Sequence, residues 1–328
     1  MRYFTLLLVF AFCFNAFAQD ATGRSPKLKL TDKKELKQTE QTMQTEIVKD
    51  KPFVDELLTN IPKAGTTKNN AVAVIIGNKD YVSAPNVDFA VNDARAMKEY
   101  VINAFGYKPE NIIYVENAKQ SDFYSIFGKE GFYKGRLYSY VQKGLSEIFI
   151  YYSGHGAPDI DQKSGYLVPV DCDPNTVVLN GYSLTTLYNN LDKIANEKQL
   201  PHITVVLESC FSGASQAGSL LKNISPIYIS VEKQGLTYEN STVFTSSQGD
   251  QISTWYPEKK HGMFTYFFLK GLQGEADLDK NSEITAKELY EYTNNDVSGV
   301  PYWVSRINLG RVQTPMLMGK DSILVNVK

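Results

Sequence analysis

The apolar residues of this chain fall into short, continuous, β-branched runs separated by longer mixed stretches. Ala71-Val72-Ala73-Val74-Ile75-Ile76-Gly77 is the first such run. Its pattern is that of a strand buried on both faces and ended by glycine. Residues 111–115 (Asn-Ile-Ile-Tyr-Val), 148–152 (Ile-Phe-Ile-Tyr-Tyr), 203–207 (Ile-Thr-Val-Val-Leu) and 242–245 (Thr-Val-Phe-Thr) repeat it. Phe89, Ala90, Met97, Val101 and Ile102 recur at helical spacing around residues 93–100, which predicts an amphipathic helix there. Two further helical stretches precede Lys143, and residues 264–272 form another after the fifth strand. Strands alternating with helices specify βαβ units, hence an α/β fold with a mostly parallel sheet covered on both faces.

The two ends of the pattern read differently. Arg2, the apolar run Leu6 to Phe12 and the small residues of Ala16-Phe17-Ala18 predict a secretory signal peptide over 1–18, cut after Ala18 and carrying Cys13 away with it. No second apolar run is long enough to span a bilayer, so the mature chain is expected to be exported, periplasmic or secreted, without an integral membrane segment. Residues 19–69 are rich in Lys, Thr, Glu and Gln and bury too little surface to offset their ordering entropy unless something docks them. They read as a flexible arm or pro-segment with a short amphipathic helix at 55–60. One domain over 70–328 is the economical division.

Composition narrows the function. With 34 Lys+Arg against 36 Asp+Glu the net charge is -2, which argues against nucleic acid as a partner. Three scattered cysteines make neither a disulfide scaffold nor a structural zinc site. A 43% hydrophobic, 12% aromatic composition supports a substantial core.

In open parallel sheets, ligands bind outside the carboxyl ends of the strands. The third strand runs into Ser153-Gly154-His155-Gly156, and the fourth into Glu208-Ser209-Cys210-Phe211-Ser212-Gly213. Right-handed crossovers bring both loops to one edge, where an imidazole can activate a thiol and protonate a leaving amine. The glycines beside His155 let backbone amides approach a developing oxyanion. A lone cysteine is more often a buried structural thiol, but its position beyond a strand end, matched by His155, favours chemistry. His202 and His261 read as ordinary surface histidines, and Cys172 as a free loop thiol, although pairing with Cys210 is conceivable in an oxidising compartment.

Tyr151-Tyr152-Ser153-Gly154-His155-Gly156 followed by Glu208-Ser209-Cys210-Phe211-Ser212-Gly213 resembles the caspase–metacaspase superfamily of cysteine peptidases, especially its bacterial members. The resemblance runs from Ala71 past Thr314 and takes in residues 76–81 (Ile-Gly-Asn-Lys-Asp-Tyr), Asn92-Asp93-Ala94, residues 165–171 (Gly-Tyr-Leu-Val-Pro-Val-Asp) and Gly262-Met263-Phe264-Thr265. It implies a three-layer α-β-α sandwich with about six strands, a dyad of His155 and Cys210 with no third orienting residue, and an oxyanion hole from the amides of Gly156 and Cys210. It also implies peptide or protein substrates and leaves the oligomeric state open. Two other readings are a catalytically silent protein-binding module and a Rossmann-type nucleotide domain, the latter disfavoured because no G-x-G-x-x-G follows the first strand.

Asp93, Ser153 and Glu208 match the positions that line the primary specificity pocket of metacaspases. Two carboxylates there would pair with the Arg or Lys side chain that precedes the cleaved bond (P1) and repel Asp. An acidic P1 preference is the alternative, with Arg95 nearby. Asp93 could instead simply cap its helix, and Glu208 stands where the family usually has Asp. Lys222 and Lys233, in the linker between the fourth and fifth strands, are candidate self-processing sites. Residues 277–288 place Asp277, Asp279, Asn281 and Glu288 at EF-hand ligand positions, but Ser282 replaces the required glycine. That loop reads as a solvated turn. No cofactor is expected to be required, and no metal ligand is assigned, although the loop keeps calcium in view.

Overall fold

The computed structural model of the protein describes residues 53–159, 164–211, 214–215, 218–219, 235–249, 251–308 and 311–327. The expected signal segment, most of the arm, and Lys222 and Lys233 lie outside these residues. Asp55–Lys328 forms a compact unit.

Each apolar run is a strand of one central sheet. They are β1 (Val72–Gly77), β2 (Ile112–Glu116), β3 (Ile148–Ser153), β4 (Ile203–Glu208) and β5 (Ser241–Thr245). A sixth, β6 (Met316–Gly319), completes the order β6-β5-β4-β3-β1-β2. All neighbours are parallel except β6, which runs antiparallel to β5. The layers follow from the period-2 alternation of side chains along a strand. Ala73, Ile75, Phe149, Tyr151, Val206 and Phe244 face one way. There they pack against helices α1 (Ala90–Asn103), α5 (Met263–Lys270), α6 (Ala286–Thr293) and α7 (Val300–Ile307). Val72, Val74, Ile76, Ile150 and Val205 face the other way. Their partners are α2 (Gln120–Phe127), α3 (Arg136–Tyr140) and α4 (Leu184–Lys198). With both faces covered, a fully buried Ile or Phe contributes roughly 1.5–3 kcal/mol. The result is the expected three-layer sandwich with a mostly parallel six-stranded sheet.

A third, smaller cluster sits beyond the sheet's end. Tyr81, Val87, Ala157, Tyr166, Val168 and Cys172 pack together there, supporting the loop after β3. Cys172 is the free thiol expected and is fully buried, donating to Asn180 Oδ1 at 2.9 Å.

The compact unit begins at Asp55, ahead of residue 70. Asp55 caps a single 3₁₀ turn, Glu56–Leu58, by accepting from the Leu57 amide at 3.0 Å. Leu57 is fully buried against the first core face. Tyr100 Oη and Gln273 Nε2 both donate to its carbonyl, at 2.8 and 3.0 Å. The docking that the composition left open is supplied by these contacts.

Candidate active site

Strand register builds the site. Gly77 lies opposite Ser153, and Ser153 opposite Glu208, so β1, β3 and β4 end level and release their loops at one edge. A Cβ on Gly77 would stand 2.6 Å from the Ala90 carbonyl and 2.7 Å from Ala94 Cβ. Glycine thus lets the first turns of α1 press onto β1 and carry Asp93 to the same edge.

One narrow cleft at this edge is lined by Asp93, Ser153, His155, Glu208, Cys210 and Trp255. The two loops that carry His155 and Cys210 touch through glycine. A Cβ on Gly156 would lie 2.6 Å from the Cys210 carbonyl oxygen and 2.7 Å from Ser209 Oγ, a spacing that no side chain tolerates.

The backbone of His155 is held from both sides. Its amide donates to Tyr81 Oη at 2.8 Å, and its carbonyl accepts from Tyr152 Oη at 2.7 Å. Its ring packs on Tyr81 with centroids 4.6 Å apart. Nε2 lies 2.6 Å from the Pro85 carbonyl oxygen. A carbonyl only accepts, so Nε2 carries the hydrogen and, in the neutral ring, Nδ1 is the basic nitrogen. Burial drives the His155 pKa down to about 4, with the Pro85 bond opposing. A backbone carbonyl thereby fixes the tautomer and orientation of the ring. Cys210 Sγ donates to the Gln251 carbonyl at 3.0 Å. At neutral pH the imidazole is therefore uncharged, and Cys210 Sγ, as a donor, carries a hydrogen.

The acidic wall is tightly bonded. Asp93 lies within the first turn of α1, whose N-cap is Phe89, so it does not cap the helix. Its Oδ1 accepts from Gly262 N at 3.1 Å and its Oδ2 from Ser153 Oγ at 3.0 Å. Glu208 Oε2 accepts from Thr265 N at 2.7 Å and Thr265 Oγ1 at 3.0 Å, while Oε1 is buried with no partner among the described residues. Burial, seconded by the charge of Asp93, raises the Glu208 pKa to about 8. Once Glu208 ionises, Oε1 becomes a buried acceptor without a donor among the described residues, which is costly, and a cationic ligand would relieve it.

Three sequence expectations change here. His261 is 1% exposed and bonds Asp93 Oδ1 through Nδ1 at 2.8 Å. His202 is half-buried and bonds Thr242 Oγ1 at 3.0 Å. Neither is a surface histidine. Arg95 pairs with Glu116 at 2.8 Å and borders a different cavity, so it offers no cation to an acidic P1 residue. The signal for His261 was its place beside Gly262-Met263-Phe264-Thr265. The carbonyls of Pro85 and Gln251 had no signal, because backbone oxygens carry none.

In the 277–288 loop, single carboxylate oxygens of Asp277, Asp279 and Glu288 lie within 4.8 Å of one another. Ser282 adopts φ 67°, the left-handed turn that glycine would make freely. Asp277 and Asp279 already accept from the amides of Asn281 and Ser282, as in a self-bonded turn.

The caspase-domain model of the C14 peptidases matches residues 70–320, and the chain belongs to that family of cysteine peptidases. Metacaspase-1 of Eremothecium gossypii is 24% identical over 158 residues, covering 44% of this chain and 32% of that protein. Metacaspase-9 of Arabidopsis thaliana is 27% identical over 169 residues, covering 47% of this chain and 50% of that protein. The match thus spans a third to a half of these relatives. Caspase-1 from Spodoptera frugiperda shares the fold, with a TM-score of 0.50 at 13% identity, over 79% of this chain and 92% of that one. No helix among the described residues is long and apolar enough to cross a membrane.

Proposed function

We propose that the protein is an exported cysteine endopeptidase that cleaves after Arg or Lys, with Cys210 as nucleophile and His155 as its acid–base partner. The observation that carries this reading is a single cleft bordered by that pair and by Asp93, Ser153 and Glu208. Nδ1 of His155 takes the thiol proton as Sγ attacks the scissile carbonyl. The amides of Gly156 and Cys210 stabilise the oxyanion. The imidazolium then returns the proton to the leaving amine, and a thioester remains on Cys210. Water, deprotonated by the same nitrogen, releases the acid product. A cationic side chain beside Asp93 would gain a charge-assisted bond and, once Glu208 ionises, supply its Oε1 with a donor. No metal enters the reaction so written, and the 277–288 loop is read as structural.

The test is Cys210→Ala. Hydrolysis of Arg- and Lys-containing peptides should fall more than about a thousandfold, with the melting temperature nearly kept. Undiminished turnover by the variant would discard the assignment, and hydrolysis of Asp-containing peptides alone would discard the pocket.

A further inference from the structure

The acidic pocket is continued by a chain of bonds that leads out of the family-matched region. His261 Nδ1 lies 2.8 Å from Asp93 Oδ1, and His261 Nε2 lies 3.0 Å from Asp55 Oδ2. Ionised carboxylates only accept, so bonding both ring nitrogens at once requires both to carry hydrogen. With both carboxylates ionised, His261 is an imidazolium held between them. Burial opposes that charge, and the two carboxylates override it, lifting the pKa to about 9.

Asp55 precedes the matched residues 70–320 and belongs to the docked turn Glu56–Leu58. Beyond the anchoring of Leu57, Glu56 pairs with Lys259 and accepts from Tyr266 Oη, each at 2.5 Å. The strap is fastened to α5 and to the segment that leads into it, beside Gly262. A Cβ on Gly262 would lie 2.6 Å from Glu208 Oε2 and 3.0 Å from Asp93 Oδ2, so His261 and Gly262 stand directly behind the pocket's carboxylates.

Asp93 with protonated His261 is a neutral pair, and Glu208 holds its proton over much of the neutral range. Asp55 restores the negative charge. It also fixes His261 so that Nδ1 aims at Oδ1, leaving Oδ2 toward Ser153.

We propose that Asp55 and His261 are positioning residues for the P1 pocket, and that the N-terminal strap thereby sets the enzyme's discrimination between cationic and neutral side chains. The inference rests on the basic-pocket reading above and adds to it a determinant from outside the family's domain.

The experiment compares the full mature chain with Asp55→Asn and Asp55→Glu. Substrates are two peptides that differ only by Arg or citrulline before the cleaved bond, of similar shape and unlike charge. Asp55→Asn should lower the Arg/citrulline ratio of kcat/KM by about tenfold, equal to about 1.4 kcal/mol. The loss should fall on KM for the Arg peptide, with kcat and the citrulline peptide nearly unchanged. Asp55→Glu, which keeps the charge, should recover most of the ratio. Imidazole ¹H–¹⁵N spectra at neutral pH give a second readout, which serves even if the Asn variant is unstable. Wild type should show a doubly protonated ring assigned to His261. An unchanged ratio in a folded Asp55→Asn protein, equal losses on both peptides, or a neutral His261 ring in wild type would overturn the inference while leaving the basic pocket intact. Wild type that fails to prefer Arg over citrulline would overturn the pocket reading and the inference with it.

Discussion

Two buried titrations separate the jobs of residues in one cleft. His155, held near 4 by burial, is neutral above about pH 5 and can act as a base there. Glu208, lifted to about 8, is protonated through the neutral range. The dependence of kcat/KM on pH should therefore rise with an acid limb near 4, well below the 6.5 of an ordinary histidine. A second rise near 8 should appear for Arg peptides only, as Glu208 ionises. An acid limb near 6.5 in the free enzyme would contradict the neutral-imidazole assignment. Between 4.5 and 8 the folded protein holds a proton that the unfolded chain has released, so the contribution of Glu208 to stability declines as pH rises through that window. Glu208→Gln should remove the decline, melt higher than wild type at pH 9, and raise KM for Arg peptides. A variant that melts lower than wild type at pH 9 would count against a strained, buried carboxylate.

Elements matter here through their ends. β1, β3 and β4 finish level, and the two loops beyond β3 and β4 meet at Gly156. Gly156→Ala should force the Cys210 carbonyl and Ser209 Oγ apart. Turnover is expected to drop by about a hundredfold or more, since small misplacement of reacting groups is that costly, and the central sheet should survive as judged by far-UV circular dichroism. Full activity in this variant would mean that the loops tolerate separation. The same ends explain what the sequence let us read. β1, β3 and β4 are covered on both faces, so burial imposes continuous apolar runs, and the loops that follow are named by position alone. β6 is an edge strand with partly exposed Met and Leu, and such a segment has no distinctive pattern. α4 escaped notice because buried Asn190 and Asp192 interrupt its apolar face. They are satisfied by distant backbone: Asn190 donates to the Phe127 carbonyl, and Asp192 accepts from Thr237 and Tyr238. Sequence adjacency does not reveal such partners.

At the scale of the whole molecule, the sandwich and the His155–Cys210 edge were legible, whereas the charge system behind the pocket was not. His261 lies 168 residues from Asp93 and 206 from Asp55, and only folding unites them. At 55–60 the apolar spacing suggests a short helix and the chain forms a single 3₁₀ turn over Glu56–Leu58, but its few apolar residues could not show that Leu57 has a socket. The central claim is that one thiol beside an acidic pocket performs the chemistry. The most direct measurement is mass spectrometry of the protein after exposure to arginyl, lysyl and aspartyl chloromethyl ketone peptides. One adduct, on Cys210, should form with the arginyl or lysyl reagent and not with the aspartyl one. An adduct on Cys172, an aspartyl preference, or no adduct on Cys210 would contradict the account.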